Sequence, residues 1–117
     1  MKNPESHLQI ACVRWFRYQY PKLAKVLFAV PNGGYRHYTT GRILKAEGQV
    51  AGVSDLILLT PRAAYGALCI EMKAAKGKQS ELQKQWQEHT ELAGNKYVIC
   101  YSFEEFVKTI KDYLDAS

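Results

Sequence analysis

Asp55, Glu71 and Lys73 are charged residues set in two stretches otherwise suited to the inside of a sheet, SDLILLT at 54–60 and ALCIEMKAA at 67–75. Between them PRAAYG reads as a turn centred near Ala63, eight residues from each carboxylate. An antiparallel pair folded there sets Asp55 opposite Glu71, with Cβ atoms about 5 Å apart. A turn of this length leaves the register free to slip by about one or two positions. Side chains alternate along a strand, so Lys73 projects on the same side as Glu71. Carboxylates this close repel, and one in a partly buried site takes up a proton. A divalent cation removes the conflict: Mg²⁺ prefers carboxylate, water and phosphate oxygens. Asp55 and Glu71 supply two such ligands, and the backbone carbonyl of Met72 is a candidate third. Lys73 beside them would hold or help deprotonate a water at the ion and stabilise charge developing on a phosphorane. That chemistry is metal-dependent phosphodiester hydrolysis. The plainer alternative is an ion pair of Lys73 with either acid at a strand end. Buried pairs of that kind contribute little net stability, and a second carboxylate worsens the balance. The pattern Asp-x(15)-Glu-x-Lys is short, and matches arise by chance.

These residues need elements to hold them. Asn3, Pro4 and Glu5 form a helix start, with Asn as the cap, Pro in the first helical position and an acid in the first turn. Leu8, Cys12, Trp15 and Phe16 follow at helical spacing, which predicts a helix to about Tyr20, ahead of Pro21. VLFAV at 26–30 reads as a short strand closed by the turn residues Pro31 to Gly34, and 39–48 as a short helix. The hairpin of 54–60 and 67–74 comes next. Ser80 with Gln83 is a capping-box pattern opening a helix that ends at Gly94, with Leu82, Trp86, His89, Leu92 and Ala93 along one side. KYVICYS at 96–102 is a strand, and Ser102 with Glu105 repeats the capping box ahead of a helix striped by Phe106, Ile110, Tyr113 and Leu114. The order α-β-α-β-β-α-β-α describes an α/β fold, a mixed central sheet flanked by helices.

Composition narrows the class. A chain of 117 residues, 47% hydrophobic and 23% charged, is expected to form one globular domain over 1–117. No run approaches the roughly 18 apolar residues of a membrane span. MKNPESHLQ turns polar where a secretion signal needs its apolar stretch, so a cytoplasmic location is expected. Cys12, Cys69 and Cys100 are widely spaced in apolar contexts, the pattern of reduced core thiols and not of a zinc site. His7, His37 and His89 show no metal-ligand spacing, and His89, Trp15 and Trp86 read as packed residues. A net charge of +5 is compatible with a polyanionic partner.

PNGGYRHYTTGR at 31–42 joins bare backbone amides at Asn32 and Gly33 to the charges of Arg36, His37 and Arg42 and the rings of Tyr35 and Tyr38. By pattern alone it is equally a phosphate-binding loop or a turn with a solvated basic edge. Lys76 and Lys78 directly follow the Glu71 strand and precede a helix N-terminus, which favours anions.

GVSDLILL followed by IEMK resembles the PD-(D/E)XK nuclease signature. PNGGYR at 31–36 and QKQW at 83–86 are similar to the VRR-NUC branch of that superfamily, the virus-type replication-repair nucleases. The likeness runs from Glu5 to Tyr97, and the element order fits the family's αβββαβ core with an extra helix between the first two strands. It implies a restriction-endonuclease-like PD-(D/E)XK core with Asp55, Glu71 and Lys73 as the catalytic trio, Asp55, Glu71 and the Met72 carbonyl as ligands, and Mg²⁺ or Mn²⁺ as cofactor. It implies further that Glu5 touches a water at the metal or a second ion, with Gln9 on the same helix face. Gln83 matches the family's helix glutamine near the active site, although the capping box alone accounts for it. Ser54 stands where the superfamily name has Pro. The same resemblance turns Asn32, Gly33, Arg36, Arg42, Lys76 and Lys78 into expected DNA contacts. The implied activity is a homodimeric, structure-selective endonuclease on branched DNA such as Holliday junctions, acting in the host cytoplasm if of phage origin. Its alternatives are a flap or single-strand nuclease and a non-catalytic DNA-binding module.

Overall fold

In the computed structural model, which describes residues 4–31 and 38–116, the elements follow the expected order. Helix α1 (Pro4–Gln19) leads into strand β1 (Leu27–Ala29), then α2 (Tyr38–Ala46), β2 (Leu56–Leu58), β3 (Leu68–Met72), α3 (Glu81–Leu92), β4 (Lys96–Cys100) and α4 (Phe103–Asp115). A 3-10 turn at Pro21–Leu23, not anticipated, joins α1 to the sheet. Among the described residues no helix is long and apolar enough to cross a membrane.

The sheet order is β1-β2-β3-β4, with the first three strands antiparallel and β4 parallel to β3. A parallel neighbour requires a crossover, and α3 is that crossover. The hairpin turns around Ala63, whose φ of 52° lies in the left-handed region, with Arg62 and Tyr65 exchanging backbone bonds of 3.1 and 2.9 Å. This tight turn sets Leu56 opposite Ile70, Ile57 opposite Cys69 and Leu58 opposite Leu68. One step beyond that ladder, Asp55 falls opposite Glu71, the unslipped register.

Alternation then sorts the sheet's residues onto two faces. One face is the core: Leu27, Leu56, Leu58, Leu68, Ile70, Met72 and Cys100 meet Cys12 and Phe16 of α1 and Phe106, Ile110 and Tyr113 of α4. Fully burying such a side chain contributes about 1.5–3 kcal/mol. Trp15, half-buried, sets its edge against Tyr20, Phe103 and Phe106 at 5.9–6.2 Å. Cys12, Cys69 and Cys100 are buried free thiols, and burial above all pushes Cys12 up to about 12.

The second face carries Glu71, Cys69 and Tyr97 and lies under α3. Here two expectations need correction. The side of α3 turned to the sheet is Gln83, Trp86, Gln87 and Thr90, while Leu82, Leu92, Ala93 and His89 are exposed. His89 is therefore not a packed residue. The helix is rotated because what it covers is polar, and amides and a hydroxyl satisfy buried polar groups where leucines would not. The Ser80 capping box forms in full, with Ser80 Oγ accepting from Gln83 N and Gln83 Oε1 accepting from Ser80 N. The second box forms by half: Ser102 Oγ accepts from Glu105 N, but the Glu105 carboxylate takes the amide of Tyr101 instead of that of Ser102.

Candidate active site

Glu71 is 2% exposed, at the penultimate position of β3. Its Oε2 accepts a hydrogen bond from Gln83 Nε2 at 3.0 Å, and its Oε1 accepts one from the Tyr97 hydroxyl at 3.5 Å. Lys73 Nζ stands 3.9 Å from Oε2, the outer limit of an ion pair, with a side chain only 11% exposed. Across the hairpin, Asp55 Oδ2 accepts the backbone N–H of Met72 at 2.7 Å, which anchors it where the ladder ends. Burial pushes the pKa of Glu71 up to about 8, the Asp55 carboxylate adds to this through its charge and a hydrogen bond, Lys73 opposes it, and Glu5 adds a smaller push upward. The ammonium does not compensate the pair of acids.

The amide of Gln83 joins the helix cap to the site. Ser80 N–H needs an acceptor, so Gln83 must present its oxygen to the cap (2.8 Å), and its NH₂ then faces Glu71. The cap itself rests on Gly52. This glycine has a φ of 87°, and a Cβ there would lie 2.6 Å from the Leu82 carbonyl carbon and 3.0 Å from Gln83 N. Only a residue without a side chain lets the segment leading to Asp55 lie against the first turn of α3.

Glu5 enters from α1. Its Oε2 accepts from Ala74 N at 3.4 Å, so the helix start is tied to the chain just after Lys73. A cleft of about 250 Å³ between α1 and the chain entering β2 is lined by Glu5, Ser6, Gln9, Ile10 and Asp55. After Lys73 the chain turns tightly: Gly77 N bonds Ala74 O at 2.9 Å, and Lys76 takes a φ of 68° at a turn position where glycine is usual. A Cβ on Gly77 would come within 3.4 Å of Lys73 Cβ and Cδ, so this turn closes over the lysine stem.

Residues 3–104 match the model of the VRR-NUC domain. The chain belongs to the VRR-NUC family. A solved structure described as a VRR_NUC domain protein superposes with a TM-score of 0.85 at 23% identity, covering 100% of this chain and 93% of its own. That likeness supports the fold, a mixed sheet flanked by helices. A search of curated proteins finds no match. VRR-NUC domains are nuclease domains, so the chemistry to be sought at the Asp55–Glu71 pair is phosphodiester cleavage.

In this VRR-NUC domain, Asp55, Glu71, Met72, Lys73, Glu5 and Gln83 converge at one end of the β2–β3 hairpin. Lys76 and Lys78 are exposed on the segment that follows, and Arg42 is exposed on α2. Asn3, Asn32, Gly33, Tyr35, Arg36 and His37 lie outside the described residues. Two residues of the site were missed in the sequence. Tyr97, buried, donates to Glu71 and accepts from Gln79 Nε2 at 3.2 Å, while the same Gln79 nitrogen reaches Gln87 Oε1 at 2.7 Å. Burial raises the Tyr97 phenol well above its ordinary range. The available signal was alternation in KYVICYS, but the face of Tyr97 follows only from the parallel register that pairs it with Cys69.

Proposed function

We propose that this VRR-NUC domain is a divalent-metal-dependent, structure-selective DNA endonuclease that hydrolyses phosphodiester bonds in branched DNA, Holliday junctions included. The observation that carries the reading is the buried acidic pair Asp55–Glu71 with one ammonium beside it. Left alone, the pair holds a proton near neutrality, as the raised pKa of Glu71 expresses. A structural ion pair would not need the second acid.

The donors suit a hard cation. Among the described residues no three His, Cys, Asp or Glu side chains, Glu5 with Asp55 and Glu71 included, lie close enough together to hold an ion by themselves. Two carboxylates supplemented by a backbone carbonyl, water and substrate oxygens are instead the habit of Mg²⁺ and Mn²⁺. Asp55, Glu71 and the Met72 carbonyl would hold such an ion, which when bound supplies charge neutralisation and Lewis-acid stabilisation of the phosphoryl group. The chain's own residues do the rest. Gln83 and Tyr97 fix the two oxygens of Glu71, and Met72 N–H fixes Asp55. Lys73, its stem covered by the turn at Gly77, keeps an ammonium next to the carboxylates to orient a water and offset negative charge on the phosphate. Glu5 holds the end of the catalytic segment through Ala74 and presents an acid to the cleft. Arg42, Lys76 and Lys78, with Asn32, Gly33 and Arg36, would bind the DNA backbone. A homodimer gives the two sites that paired cutting across a four-way junction needs.

The test is cleavage of linear, flapped and four-way DNA with Mg²⁺ or Mn²⁺. We expect cutting of branched substrates, abolition by EDTA, and losses of at least about 100-fold for Glu71→Ala and for Lys73→Ala. Activity that survives EDTA or Glu71→Ala would reject the assigned site. Junctions nicked on one strand alone would reject the paired homodimer.

A further inference from the structure

Residues 4–25 contain Arg14, Arg17, Lys22 and Lys25 against a single acid, Glu5, and all four cations are exposed. The two salt bridges among the described residues, Lys73–Glu71 and Lys108–Asp112, lie elsewhere. Arg14 and Arg17 face no acid within α1 either. Three and four residues away in both directions stand Ile10, Ala11, Val13, Tyr18, Tyr20 and Pro21, and along the helix the charge nearest to each arginine is the other. Like charges at such spacing weaken a helix slightly. Arg17 in the last turn suits the helix dipole, but no salt bridge among the described residues engages either guanidinium group, which leaves both open to an external anion.

The same helix leads out of the site. At a helical step of about 100° and 1.5 Å per residue, Ile10, Arg14 and Arg17 fall within an arc of about 60°, with Arg14 about 6 Å and Arg17 about 10 Å beyond Ile10 along the axis. Ile10 lines the cleft with Glu5, Ser6, Gln9 and Asp55 and is itself 41% exposed, whereas Cys12 and Phe16 are turned to the core. The stripe therefore begins at the cleft and runs away from it on the solvent side. Its length is about three nucleotides at the 3.4 Å rise of one DNA strand. Guanidinium groups suit phosphate, which they can bind through two parallel hydrogen bonds.

We propose that the outer face of α1 is a phosphate-binding track on which Arg14 and Arg17 carry one arm of the DNA away from the cleft. This rests on the DNA-cleaving reading above and assigns a second surface to it, remote from Arg42, Lys76 and Lys78 in sequence. The track acts on affinity alone.

Fluorescence anisotropy of a labelled four-way junction, titrated in EDTA over a range of salt, tests it. For Arg14→Gln/Arg17→Gln the slope of log affinity against log salt should fall by about 2, one per lost phosphate contact, and Kd should rise about tenfold. Maximal cleavage rate at saturating DNA should stay unchanged. The control Lys108→Gln/Lys111→Gln removes the same two charges from α4 and should alter the slope by less than half as much. An α1 variant with the wild-type slope overturns the track, and so does a control that loses as much, since net charge and not position would then be responsible. A wild-type protein that binds no DNA removes the functional reading itself, and the track with it.

Discussion

Glu71 accepts hydrogen bonds from two donors, a neutral amide and a phenol, and has an ammonium 3.9 Å away, yet burial and Asp55 still dominate its protonation. The consequence for stability has a definite sign. Its folded pKa of about 8 exceeds the ordinary 4.5, so between those values the native metal-free protein keeps a proton that the unfolded chain has released. The contribution is complete below the lower value and is lost as pH rises through the upper one. Thermal midpoints in EDTA should therefore decline from roughly pH 5 to 9, and Glu71→Gln, which cannot ionise, should flatten the decline. Parallel profiles for the two proteins would show that Glu71 does not carry this proton. The Asp55–Glu71 juxtaposition was legible in the sequence because a turn centre midway between two residues sets them opposite. Tyr97 was not, because its partner strand runs parallel and a crossover helix leaves no comparable mark on register.

At the scale of the element, α3 is a lever on the site through its first turn. Gly52 lies against Leu82 and Gln83, whereas Gly94 has a similar φ, 97°, with nothing within 4 Å of a Cβ. The two glycines separate conformational strain from contact. Gly94→Ala should destabilise by about 1–2 kcal/mol, the cost of a left-handed L-residue, and leave cleavage intact. Gly52→Ala carries the same cost, must also displace the backbone that aims Gln83, and should lower the cleavage rate at least about tenfold at a temperature where the protein stays folded. Equal effects in both would mean that the Gly52 contact does not matter to the site. The elements themselves were readable, since capping residues, turn residues and apolar periodicity agree along most of the chain. The rotation of α3 was not, and the reason is physical. Apolar periodicity equates inward with apolar, but Gln83, Gln87 and Thr90 face inward because they serve the polar groups of Glu71, Gln79 and Cys69. Leu82 and Leu92, which make the apolar stripe in the sequence, are 54% and 87% exposed.

Over the whole molecule, the site gathers Glu5 from the first helix, Asp55 and Glu71 from the hairpin, Gln83 from the crossover and Tyr97 from the last strand. The proposed ion would be bound only by the folded chain, so it should stabilise the entire structure. At a hundredfold excess over Kd the gain is about 2.7 kcal/mol, enough for a rise of several degrees in the thermal midpoint. Because the proposed ligation would require Glu71 to give up its proton, the rise should be larger at pH 9 than at roughly pH 6. Mn²⁺ titrations followed by differential scanning calorimetry would measure it, with Asp55→Asn/Glu71→Gln as the reference. A comparable rise in that variant would place the ion elsewhere.

A helix cap of this design ordinarily accepts either glutamate or glutamine three residues in, since both offer an oxygen to the open amide. Here the choice is gone. Glutamate at position 83 would still serve Ser80, yet it would set a further acid against Glu71 and remove the donor that faces it. What reads as an interchangeable punctuation mark at the start of α3 is thereby a fixed letter, and a Gln83→Glu chain would fold with its helix correctly begun and its acidic centre spoiled.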